Sequence, residues 1–456
     1  MTPLSPADQL FLWLEKRQQP MHVAGLMLFS FPENAGPKYV TELAESLRAY
    51  QHPEGRYGKK LVRKMGQYYW DEDDHFDLEH HFRHEALPKP GRIRELLARV
   101  SAEHSNLMDR ERPLWEFHLI EGVRGRRFAV YSKVHHSMMD GVAAMKTCME
   151  FLSYDPTAMN NPPVWAVPER KRSNKNAGTG DLISGFSEFA NVAGKQLGTL
   201  PKITKELTKV IRNARKQTDH VSIFQAPNCL LNEPITGSRR FAAQSYSMDR
   251  IKAIAKAFKG TVNDVVLAVC GSALRDYLIS QHALPDMPLI SMVPVSIRKD
   301  GSNSGNQIAM ILVNLGTHIA DPSLRIETIM ASVKEAKDRY KSMTPEEVLN
   351  YTALTMAPAG FNMLTGLIPN WQPFNVIISN VPGPKKNLYW NGAQLEGMYP
   401  ISIPIDRIAL NITLLSYKDQ LEFGLTACRR TLPSMQRLLD FIENGIHELE
   451  VAADIR

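Results

Sequence analysis

Cysteine is scarce in this chain: four residues among 456, Cys148, Cys229, Cys270 and Cys428, with no Cys-x-x-Cys pair. That excludes a disulfide scaffold and a cysteine zinc site, and it fits a reducing compartment. No uninterrupted apolar stretch approaches the roughly 20 residues that a membrane-spanning helix needs. No cationic region precedes the early apolar run Leu10–Leu14, which Asp8 and Glu15 bound, so no secretory signal is expected. Short-period repeats and heptad seams are also missing. The expectation is a cytoplasmic chain, soluble or at most peripheral. A 43% hydrophobic, 22% charged composition excludes disordered, collagen-like and coiled-coil classes. The length exceeds what one core usually supports, which favours two domains.

Acidic charge is short by only six, with 54 Lys and Arg against 48 Asp and Glu, but the imbalance is local. Between Glu169 and Asp219 there are eleven basic and five acidic residues, which accounts for the whole excess. This stretch follows Pro156, Pro162, Pro163 and Pro168 and opens with a linker-like Arg170-Lys171-Arg172 run. Further on, Ile203, Leu207, Val210 and Ile211 recur at helical spacing among Lys202, Lys205, Lys209, Arg212, Arg215 and Lys216. Such a helix either packs on a domain with a solvated basic face or lies on an anionic membrane, and periodicity alone does not choose. Nucleic acid is not an expected partner, because no aromatic stacking platform or reading motif accompanies the charge.

Residues 1–168 read as a first domain, 169–235 as a basic linker with amphipathic helices, and 236–456 as a second domain. Ser5-Pro6-Ala7-Asp8 is a helix start with a cap, a first-turn proline and a capping-box carboxylate. Strands are expected at Met21–Phe31 and Phe128–Val134, and helices at Tyr39–Ala49 and Ile93–Asn106. In the second domain Ser247 starts a helix that ends at Gly260. Thr261 caps another, with Asp264 in the capping-box position. Strands follow at Leu289–Ile297, Phe374–Ser379, Leu410–Tyr417 and Leu421–Ala427, the last two joined through Lys418-Asp419-Gln420. The fold class is mixed α/β in both domains, with at least one antiparallel pair.

The segment that carries chemistry follows the strand Phe128–Val134: His135-His136-Ser137-Met138-Met139-Asp140-Gly141. A second pair, His80-His81, lacks Asp and Gly at the matching offsets. Strand alternation puts Phe128, Val130, Ser132, Val134 and His136 on one face and Ala129, Tyr131, Lys133 and His135 on the other. Adjacent histidines facing apart cannot easily chelate one metal, so no metal is expected. A neutral imidazole titrating near neutrality is instead a general base for a hydroxyl or amine. Asp140 can fix the turn by pairing with a cation, and Gly141 lets backbone or substrate approach closely. Asn263 lies in the first turn of the Thr261-capped helix, where free N–H groups favour negative charge. Its amide either donates to an oxyanion, a contribution of about 3 kcal/mol, or only helps to start the helix. Asn380-Val381-Pro382-Gly383-Pro384 forms a tight turn that either lines the site or is structural. Met138, Met139, Met145 and Met149 read mainly as core with a pliable tunnel lining as the alternative, and Trp115 reads as core.

With the histidine motif, PLSPADQLFLWLE, FDLEHHFRHEALPKPG, RPLWEFHLIEG, TVNDVVLAVCGSALRDYL, PVSIR and ISNVPGP span nearly the whole chain. On these stretches it resembles the bacterial wax ester synthase/acyl-CoA:diacylglycerol acyltransferase family, within the HHxxxDG superfamily. The Asp-Phe-Gly-Trp-Gly of plant alcohol acyltransferases is absent. The resemblance implies two chloramphenicol-acetyltransferase-like domains with a tunnel at their interface. It implies a long-chain O-acyltransferase moving a fatty acyl group from acyl-CoA, as co-substrate and without other cofactor, to a fatty alcohol or diacylglycerol. His136 is then the base, His135 its motif neighbour, and Asp140 a structural group paired with an arginine, for which Arg298 is the candidate. Two other readings stay open: another acceptor, such as a different alcohol or a carrier-protein thioester, and a non-catalytic lipid-binding protein on the same fold. The products that the resemblance implies partition into lipid, which puts the expected location at the inner membrane face or on lipid droplets.

Overall fold

A computed structural model describes residues 1–139, 141–168, 225–297, 307–341, 343 and 372–455. The basic stretch Glu169–Asp219, Asp140 and Arg298 lie outside the described residues. In chain order the strands are β1 (Thr2–Pro3), β2 (His22–Ser30), β3 (Lys59–Lys64), β4 (Gln67–Glu72), β5 (Phe82–Ala86), β6 (Trp115–Val123), β7 (Arg127–His135), β8 (Arg239–Ser247), β9 (Ile290–Ile297), β10 (Gln307–Asn314), β11 (Val376–Val381), β12 (Tyr389–Trp390), β13 (Ala393–Ile401), β14 (Leu410–Tyr417) and β15 (Gln420–Cys428). The helices are α1 (Pro6–Leu14), α2 (Tyr39–Arg48), α3 (Leu78–His81), α4 (Ile93–Glu103), α5 (Gly141–Glu150), α6 (Met248–Ala257), α7 (Val262–Ser280), α8 (Pro322–Lys341) and α9 (Arg437–Ala452).

The caps set these boundaries. Ser5 Oγ accepts the Asp8 N–H at 3.1 Å and starts α1. Ser247 caps α6, and at α7 Thr261 and Asp264 exchange both bonds of a capping box. The β14–β15 hairpin is one residue tighter than its sequence suggests. Tyr417 pairs with Gln420, leaving only Lys418 and Asp419 in the loop, and Lys418 takes a positive φ of 55°.

Two large mixed sheets organise the molecule. The second runs β10-β9-β11-β14-β15-β8, with β11 parallel to both neighbours and the other pairs antiparallel. Helices α6 to α9 cover one of its faces in a single apolar cluster that includes Val266, Ile329, Phe423 and Ile442. The first sheet runs β12-β13-β2-β7-β6-β5. Its strands β12 and β13 come from residues that the sequence reading assigns to the second domain, and β13 pairs antiparallel with β2 along Gln394–Ile401. A strand exchange thus ties the two halves together. Mixed sheets flanked by helices make this the mixed α/β class expected from the sequence.

Three further features fix how the sheets meet. One apolar cluster contains Phe11, Met138 and Met145 from the first half with Met292, Met310, Ile377 and Leu415 from the second. Ser101 and Ser105 of α4 and its exit accept the Phe241 and Arg239 N–H groups of edge strand β8, at 2.9 and 2.8 Å, so that edge is covered. At Gly424 a Cβ would lie 1.9 Å from the Pro400 carbonyl oxygen, so β15 and β13 approach more closely than any side chain allows.

Candidate active site

The motif begins where the β2–β7 ladder ends, with His22 paired to His135. The His136 N–H then donates to the Met21 carbonyl at 2.9 Å. Both motif histidines are buried, and they diverge as strand alternation requires. The His136 ring lies flat on Phe11, with centroids 3.8 Å apart and planes 15° from parallel. His135 points to Glu15 instead, with Nε2 3.3 Å from the carboxylate.

The tautomer of His135 follows from its partners. The Ser137 N–H can only donate, and it reaches His135 Nδ1 at 3.1 Å, with the Ser137 hydroxyl at 2.7 Å. Nδ1 is therefore the bare acceptor and Nε2–H faces Glu15. Burial lowers the His135 pKa against the pull of Glu15, which keeps the ring neutral. Burial alone would raise the Glu15 pKa. Contacts from His135, the Met21 N–H (3.1 Å) and Arg110 overcome it and hold the carboxyl at about 2. Arg110 supplies Nε at 3.1 Å and Nη2 at 2.8 Å to one oxygen.

Asp8, one turn before Phe11, accepts the Ser5 hydroxyl at 2.8 Å. Burial raises its pKa, and the Ser5 bond with the charges of Arg56 and His136 pulls it back. Arg56 Nη1 donates to the Met138 carbonyl inside the motif at 2.6 Å. One helix and one arginine loop therefore frame the histidines.

The other expected site residues are distributed as follows. Gly141 opens α5. Asn263 is half-buried in the first turn of α7, as expected from its cap. Asn380 pairs with Leu414 near the end of β11. The turn after it is pinned: the Gly383 N–H donates to Ser416 Oγ at 2.9 Å, and a Cβ there would fall 2.2 Å from the Ser416 carbonyl oxygen. Asp140 and its proposed partner Arg298 fall outside the described residues. Sequence reasoning missed Phe11, Glu15 and Arg110 as neighbours of the motif. The signal for two of them was present: Asp8, Phe11 and Glu15 share one face by spacing of three and four.

The second histidine pair has a structural setting. His81 Nδ1 donates to the Trp115 carbonyl at 2.8 Å, and its ring is stacked on Phe76 and Trp115. Trp115 is core, with Nε1 donating to the Tyr57 carbonyl at 2.8 Å. Among the described residues one cluster brings potential metal ligands together, Glu103, Glu116 and His118, within 4.8 Å of one another. Its cations are already present. The fully buried Lys133 Nζ lies 2.9 Å from Glu116, and His118 sits between Glu116 (3.2 Å) and Glu85 (3.0 Å). Burial lowers the His118 pKa, but the two carboxylates outweigh it and raise the pKa overall, favouring imidazolium. Glu116 in turn is held at about 2: burial raises it, and His118 and Lys133 more than compensate.

Known proteins resemble this chain along its whole length. Residues 4–266 match the wax ester synthase/diacylglycerol acyltransferase catalytic domain, and residues 304–450 match the C-terminal domain of the same family. An O-acyltransferase WSD from Acinetobacter baylyi is 49% identical over 99% of this chain and 97% of its own. A "Probable diacyglycerol O-acyltransferase" of Mycobacterium tuberculosis is 42% identical over the full length of both. The solved wax ester synthase/diacylglycerol acyltransferase from Marinobacter aquaeolei superposes with a TM-score of 0.84 at 54% identity, covering 100% of both chains. The starter condensation domain of rhizomide synthetase, at 11% identity and a TM-score of 0.53 over 99% and 94% of the two chains, shares the fold. Matched along both of its halves and at this level of identity, the chain belongs to the wax ester synthase/diacylglycerol acyltransferase family.

Proposed function

We propose that this chain transfers a long-chain acyl group from acyl-CoA to the hydroxyl of a fatty alcohol, giving a wax ester, or of diacylglycerol, giving triacylglycerol. The observation that carries the role of His136 is the commitment of its neighbour. His135 Nδ1 accepts from Ser137 and its Nε2 faces the Glu15 carboxylate at an ion-pair distance of 3.3 Å, so the base role is assigned to His136. The imidazole takes the acceptor's hydroxyl proton as oxygen attacks the thioester carbonyl. The tetrahedral oxyanion collapses, the C–S bond breaks, and the departing CoA thiolate takes the proton back from His136. Atoms and charge balance without a metal or a redox group. Asn263 is the candidate oxyanion donor, Asp140 and Arg298 hold the motif turn, Gly141 gives room beside it, and Asn380 contributes to the wall.

The apolar chains of the substrates are assigned to the region between the two sheets, where Met138, Met145, Met292, Met310 and Leu415 belong to one apolar cluster. Contact with a lipid surface is part of this reading. Both products partition into lipid, and the Glu169–Asp219 stretch supplies basic and apolar residues at helical spacing. Among the described residues no single helix is long and apolar enough to cross a membrane.

The test is CoA thiol release from palmitoyl-CoA with hexadecanol or diacylglycerol, comparing wild type with His136→Ala and His80→Ala. His80 is an exposed control. Acceptor-dependent release should fall at least about a hundredfold in His136→Ala and stay near wild type in His80→Ala. No release with either acceptor in folded wild type would sink the substrate pairing.

A further inference from the structure

We propose that Phe11 is the positioning residue for the catalytic imidazole, and that α1 is the element which orients both motif histidines. The proposal rests on His136 acting as the base. Asp8, Phe11 and Glu15 recur along one face of the helix and its cap, and all three address the motif. Glu15 faces His135 Nε2 at 3.3 Å and accepts the Met21 N–H, and the neighbouring Met21 carbonyl takes the His136 N–H. Phe11 covers one face of the His136 ring at 3.8 Å, and Asp8 lies within electrostatic reach of the same imidazole.

A face-on stack confines a ring in one way. In-plane motion is cheap, but tipping out of plane collides with the aromatic surface. His136 sits one residue beyond the last β7 pair, its backbone held by the bond to Met21 and its ring face by Phe11. Phe11 is itself buried, on a helix clamped at its far end by Arg110, which bonds both Glu15 and the Leu12 carbonyl (2.8 Å). The stack therefore transmits the rigidity of α1 to the base. Proton transfer needs donor and acceptor within hydrogen-bond reach and in line, and misplacement by about 1 Å costs up to a hundredfold in rate. A flexible aliphatic side chain of similar bulk would fill the space without defining a plane.

The experiment compares Phe11→Leu and Phe11→Tyr with wild type, measuring kcat and both KM values and normalising to folded protein from circular dichroism. The expected result for Phe11→Leu is a kcat at least about tenfold lower with KM for acyl-CoA and alcohol within about twofold. Phe11→Tyr, which retains the ring, should recover most of that loss. Unchanged kcat per folded molecule in Phe11→Leu would overturn the proposal and leave Phe11 as core packing. Equal losses in both variants would overturn it too, because the ring plane would not be what matters. So would a raised KM at constant kcat, which would make Phe11 a substrate wall. His136→Ala is run alongside: wild-type turnover there would remove the base reading itself, an outcome separable from any result at Phe11.

Discussion

Replacing Glu15 by glutamine keeps the shape of the side chain and removes its charge. In the folded protein this carboxylate is 4% exposed and meets His135, Arg110 and the Met21 N–H. Its carboxyl is held at about 2, against an unperturbed value of 4.5, with burial opposing and the three partners prevailing. A shift of that size corresponds to roughly 3 kcal/mol of stability at pH 7. Glutamine additionally turns an amide N–H toward groups that only donate. The expected loss in a urea titration at pH 7 is therefore about 3 kcal/mol. Because the folded pKa is depressed, the contribution is complete above pH 4.5 and lost as the pH falls toward 2. The gap between wild type and Glu15→Gln should accordingly narrow to about 1.5 kcal/mol at pH 3. A gap below 1 kcal/mol at pH 7, or one independent of pH, would refute the reasoning.

Gly424→Ala places a methyl group 1.9 Å from the Pro400 oxygen, so β15 and β13 must separate; a loss of about 2 kcal/mol or more in the urea midpoint analysis is expected, and unchanged stability would contradict the described approach. His22 and His104 are buried and their pKa values are lowered, His104 to about 3, with burial the leading cause in each. The stability they contribute is present above pH 6.5 and lost as the pH falls. The raised pKa of His118 works oppositely, its contribution being complete below pH 6.5 and lost as the pH rises through the folded value. The urea midpoint should fall between pH 7 and pH 5, less steeply than the pair alone would give because His118 and Glu422, which burial pushes up to about 7, work the other way; a midpoint that rises over this range would count against neutral burial of the pair.

Much of the local structure was legible because its causes are local. The Thr261–Asp264 box and the Ser247 cap are short-range hydrogen bonds, and both form where the residues imply. Period-two alternation separated His136 from His135 correctly, since a strand offers only two faces. The same alternation put Lys133 beside His135 but gave no reason for an ammonium to be fully buried. That reason is Glu116, on the adjacent strand β6. Phe11 read only as apolar surface, and Arg110 carried no signal, because its partner Glu15 is 95 positions away. The strand exchange was invisible for the same cause. Residues 393–401 look like any half-buried strand, and nothing in their pattern names β2 as the partner.

That exchange has a consequence for how the chain is made. A ribosome delivers β2, β7, β6 and β5 early, yet the β2 edge that receives β13 stays open until residue 401 has emerged. For most of synthesis the nascent first half carries an unpaired apolar edge next to the segment bearing both motif histidines, the kind of edge that recruits chaperones or other strands. The sheet that carries the motif is therefore completed only once residue 401 is available to pair. Cutting the gene between the two halves would yield fragments that must find each other to finish one sheet, rather than two autonomous modules.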